Sequence, residues 1–133
     1  MGDGDVGKWV DTLEAARKLD ARIVCTGHGP RSAATVLDDQ QAFFKALREQ
    51  VGTIMTKVPA EQSKVKIESI RAILKSNVQI ARFVSDAGSS DDGFPSQVAK
   101  VYEELTGGKL AALLHEPPLA RHAHARSHGI MSV

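Results

Sequence analysis

Arg22-Ile23-Val24-Cys25-Thr26-Gly27-His28-Gly29-Pro30 is the stretch on which the reading of this chain turns. Ile23, Val24 and Cys25 make a short continuous apolar run with β-branched members, and Gly27 to Pro30 stop it, so the pattern predicts a buried strand feeding a loop. His28 is then presented at a strand's carboxyl end, the rim where open α/β folds collect ligands and catalytic groups. Gly27 and Gly29 carry no Cβ, which lets the backbone pass close to a metal, a ligand or another chain and leaves the imidazole as the side chain at the tip. Such a histidine is a candidate metal ligand, with Gly27, Gly29 and Pro30 in support. The same tetrapeptide also fits a plain strand-to-helix turn whose ring bonds a backbone carbonyl or stays in water.

Upstream, Asp5 is placed as an N-cap, and Val6, Trp9, Val10, Leu13 and Ala16 recur at helical spacing on one face. Arg17 and Lys18 complement the dipole at the helix end, and Leu19 to Ala21 turn the chain into the strand. Asp3 and Asp5 are acids of metal-ligating type, but carboxylates just before a helix usually cap it, and capping is the role assigned to them. The order helix, strand, loop belongs to an α/β layer with a parallel or mixed sheet.

Downstream the pattern turns helical. A long helix starts between Thr35 and Asp39, with Leu37, Phe44, Leu47, Val51, Ile54 and Val58 as its apolar stripe. Pro59 restarts the chain, and Ile67, Ile70, Leu74, Val78, Ala81 and Val84 mark a second segment with a break near Ser76 and Asn77. Asp86 to Gly93 reads as a linker. Phe94, Val98, Val101, Tyr102 and Leu105 make a short amphipathic helix that Gly107 and Gly108 stop. Leu110 to Leu114 is apolar and short, a strand or a helical turn. From Leu119 onward apolar periodicity ends, and a disordered tail is expected in which His122, His124 and His128 are weak metal candidates. Three regions follow: residues 1–31, the helix-strand-loop unit; 32–118, a helical region; and 119–133, the His-rich tail.

The 133 residues, 42% hydrophobic and 25% charged, suit one domain with a moderate core. Lys and Arg number 17 against 16 Asp and Glu, a balance that argues against nucleic acid or an anionic membrane as the partner. The one cysteine, Cys25, excludes an intrachain disulfide, and within a strand it should behave as a small apolar residue in a reducing compartment. With no leader-like start and no stretch long enough to span a bilayer, a cytoplasmic protein is expected; a secreted parent stays open if Met1 is not the natural start. The sequence contains one clear strand. A lone strand leaves two rows of unpaired backbone groups, so its neighbours must come from an upstream part of the fold or from self-association through the strand.

The helix with Trp9 and Leu13, the strand, Gly27-His28-Gly29-Pro30 and the helix with Gln41, Phe44 and Leu47 together resemble the C-terminal portion of a metallo-β-lactamase superfamily hydrolase. In that family a helix with a Trp-x-x-x-Leu pattern precedes a strand ending in Pro-Gly-His-Gly-Pro or a variant, whose histidine is the last ligand of a one- or two-metal site. His28 matches that ligand, and Thr26 stands where proline is frequent. The resemblance is best over Asp5 to Val51; Val101-Tyr102-Glu103-Glu104-Leu105-Thr106-Gly107 also resembles the C-terminal helices of many members. The family's His-x-His-x-Asp-His cluster, middle histidine and bridging aspartate normally lie upstream of such a helix, and none is present here. Asp3 precedes His28 by fewer residues than the bridging aspartate usually does and is not given that role.

The resemblance implies an α/β fold class, the C-terminal part of an αβ/βα domain. It also implies a complete enzyme that uses zinc, as one or two ions, to hydrolyse a small-molecule substrate. It assigns no catalytic residue within this chain, which is expected to be inactive alone. The alternative is a non-enzymatic helical interaction module, in which His28 is dispensable. A phosphate-binding glycine loop is disfavoured, because neither Gly-x-Gly-x-x-Gly nor a lysine-bearing phosphate loop occurs.

Overall fold

In a computed structural model that describes residues 4–25, 32–56, 62–108 and Leu110, the first helix, α1, spans Val6–Arg17. Asp5 caps it as its sequence position predicts: Oδ1 accepts the Lys8 N–H at 3.0 Å, a bond that holds the carboxyl below its ordinary pKa. Past Lys18 the chain turns at Asp20, whose φ of +51° is a left-handed conformation that Asp tolerates better than most residues.

It then enters β1, Ile23–Val24, which pairs antiparallel with β2, Ser32–Ala33, in the register Ile23↔Ala33 and Val24↔Ser32. Two corrections follow. The strand does not stand alone, because the small polar stretch read as a helix approach supplies a partner; short side chains at Ser32 and Ala33 permit extended backbone without any apolar alternation to reveal it. Nor is the strand buried: Ile23 is 62% exposed and Cys25 is exposed, not packed as a small apolar residue.

Helix α2, Thr35–Gln50, begins at the early edge of the expected range and runs on through a π-helical turn, Val51–Met55. Phe44, Leu47 and Val51 are buried as the stripe predicts, and Phe43 and Met55 join them. Val58 lies outside the described residues. Trp9, Phe44, Phe43 and Phe83 form a relay of ring contacts with centroids 6.4, 5.5 and 5.6 Å apart, and each such pair is worth about 0.5–1.5 kcal/mol beyond its area. Gln41 Nε2 donates to Val10 O at 3.1 Å.

Helix α3, Ser63–Ser76, stops where the break was expected and buries Ile67, Ile70 and Leu74. Val78 is corrected from the apolar stripe to solvent at 93% exposure, while Ile80 is buried in its place. The helix has ended by then, and Asn77 Oδ1 accepts the Gln79 N–H at 3.1 Å, so the three- and four-residue spacing no longer applies. A 3-10 turn, Ala81–Phe83, precedes a loop to α4, Phe94–Thr106, which ends as predicted at Gly107 with φ +71°. Leu110 is buried on the core; 111–114 lie outside the described residues.

One carboxylate ties three helices together. Glu104 Oε1 accepts the Val6 N–H at 2.8 Å, capping α1 from α4, and Oε2 accepts Arg48 Nη1 from α2 at 3.1 Å. The negative charge also sits favourably at the α1 N-terminus. A Cβ on Gly7 would lie 3.1 Å from Arg48 Nη1, so glycine there leaves room for the guanidinium. Glu104→Ala is expected to cost about 1–3 kcal/mol, the penalty for donors left without their acceptor, and to speed amide exchange in the first turn of α1. An unchanged urea midpoint with unchanged exchange would contradict this.

Candidate functional site

The β1/β2 pairing sets Val24 opposite Ser32, so the connecting chain with Gly27, His28, Gly29 and Pro30 leaves and returns at one place. Those four residues themselves lie outside the described residues, as do His122, His124 and His128 and the acid Asp3. Asp5, the other acid weighed as a ligand, spends its carboxylate on the α1 cap. Among the described residues no group of three or more His, Cys, Asp or Glu side chains could hold a metal ion.

Beside the strand lies an open cleft of about 580 Å³, lined on one wall by Trp9, Leu13 and Ala16 of α1, on another by Val36, Leu37 and Gln40 of α2, and closed off by Val24, Cys25 and Phe83. Trp9, expected to bury against a sheet, remains 41% exposed there. The cleft takes this form because α1 packs along α2 while the two-residue strands cover little of either helix. Its lining is mostly apolar and carries no acid or base, so it offers packing surface instead of proton transfer or metal ligation.

A second polar constellation went unseen in the sequence. Arg71 sits on the buried face of α3, 4% exposed, and spends its guanidinium on three groups. Nε and Nη2 donate to Glu68 at 2.9 and 3.1 Å, Nη1 and Nη2 donate to Asp92 at 3.0 and 2.8 Å, and Nη1 also donates to Ser85 O. The charge stacks over the Phe94 ring, 4.9 Å from its centroid. Asp92 in turn accepts from the Ser85 hydroxyl at 2.7 Å and the Phe94 N–H at 3.2 Å. Arg71 holds the Asp92 carboxyl far below the usual carboxylate range; burial opposes that shift, and the Ser85 and Phe94 bonds add to it. The Asp86 to Gly93 segment is therefore not a loose linker, since Asp92 pins it to α3 and α4. The available signal was Arg71 at an apolar-stripe position between Ile67 and Leu74. With its donors satisfied internally, the constellation is a structural clasp.

Two buried polar atoms, Lys66 Nζ and Gln97 Oε1, have no hydrogen-bond partner, and neither residue lines the cleft. Comparison with protein-family models, with characterised proteins and with solved structures finds no match.

Proposed function

We propose that this chain is the C-terminal part of a zinc-dependent hydrolase of the metallo-β-lactamase superfamily and is inactive alone. The observation that carries the reading is Gly27-His28-Gly29-Pro30 following a Trp9/Leu13 helix and a strand and preceding a long amphipathic helix. The open apolar cleft beside β1 supports it, because a strand and helix face belonging to a larger sheet would be left bare in this way. The upstream part of the same fold, or a second copy pairing through β1, is the occupant this reading gives the cleft, and the parent's substrate is a small molecule.

His28 is the one residue here assigned to the metal. A zinc site needs about three protein ligands, so the donors of this chain do not make one, and no catalytic step is derived from them. In the complete domain the ion would lower the pKa of a bound water and supply hydroxide to a carbonyl, phosphoryl or thioester centre. No described helix is long and apolar enough to cross a membrane, and a single cysteine suits the cytoplasm, the compartment proposed.

The chain alone is expected to show no zinc-dependent hydrolysis above buffer, and co-expression with an upstream segment bearing His-x-His-x-Asp-His to restore turnover that His28→Ala removes. Turnover by the chain alone, abolished by His28→Ala, would overturn the partial-domain reading. Restored turnover indifferent to His28→Ala would remove its role. Any tight zinc uptake by the isolated chain is expected to vanish when residues after Pro118 are deleted, because His122, His124 and His128 would account for it; stoichiometric zinc retained by the truncated chain would place the metal elsewhere.

The rival reading, a helical interaction module, draws on Val65 and Ile73, which lie exposed on α3. It requires that His28→Ala leave function intact.

A further inference from the structure

We draw no further inference here: the strongest candidate, the apolar cleft between α1, β1 and α2 that Trp9, Leu13, Val24, Leu37 and Phe83 line, belongs to the reading already proposed, and nothing else in the structure shows what covers it.

Discussion

Arg71→Ala is expected to remove about 3–5 kcal/mol of stability, the usual consequence of deleting one partner of a buried ion pair. Against a typical margin of about 5–15 kcal/mol, that is enough to unfold a large share of the molecules at physiological temperature. Asp92, whose side chain is 14% exposed, would lose its charged partner while still facing Ser85 and the start of α4. Arg71→Lys should recover little, because an ammonium cannot reproduce the planar fork that reaches Glu68, Asp92 and Ser85 O together. In an Asp92→Ala background the same Arg71→Ala change should cost measurably less, since the stranded carboxylate is already gone. Urea titration of the four variants reads this coupling directly. Equal costs in both backgrounds would show that Arg71 stabilises by packing alone.

The clasp also predicts acid sensitivity with a definite sign. The Asp92 pKa is depressed in the folded state, foremost by Arg71, whereas an unfolded Asp titrates near about 3.9. The folded form therefore binds fewer protons, and stability contributed by the pair is complete above the unfolded pKa. It is lost progressively as the pH falls through that value toward the depressed one. Asp5, lowered by the Lys8 N–H, and Asp86, lowered by Lys75, act in the same direction. Asp92→Asn should flatten the acid limb of the stability profile while leaving the neutral region level.

Amides of β1 in a dilute monomer are expected to exchange orders of magnitude faster than those of α3 and α4. A two-residue strand with an exposed Ile23 offers little to hold those amides closed. Ile70, Leu74, Val98 and Val101, by contrast, are buried at the centre of the core. Burying a large apolar side chain contributes about 1.5–3 kcal/mol, so covering Trp9 and Ile23 with an upstream sheet or a second copy would stabilise this end of the molecule substantially. Protection at Val24 and Cys25 should then rise with protein concentration, or on adding the upstream segment in trans. Strong protection of both in a dilute monomer would mean that the sheet is complete without help, and the partial-domain reading would fail.

Periodicity and capping chemistry are local, and the elements they govern were legible. The Asp5 cap, the α2 and α3 stripes through Phe44, Leu47, Ile67, Ile70 and Leu74, and the left-handed stop at Gly107 follow from residues a few positions apart. The Gly-His-Gly-Pro motif likewise stands in the sequence, and with it the proposal of a metal ligand at His28. Contacts between distant residues were not legible. Nothing in a window around Arg71 announces Asp92, 21 residues on, and nothing near Val6 announces Glu104, 98 residues away. Ser32 and Ala33 became a strand only because Ile23 and Val24 lay opposite, and Cys25 stayed exposed because that pairing was too short to cover it. Local propensity is a property of neighbouring side chains and backbone, whereas burial and ion pairing depend on which helices meet; the tertiary structure alone decided that Arg71 and Glu104 join the helices and that the face beside β1 stays open.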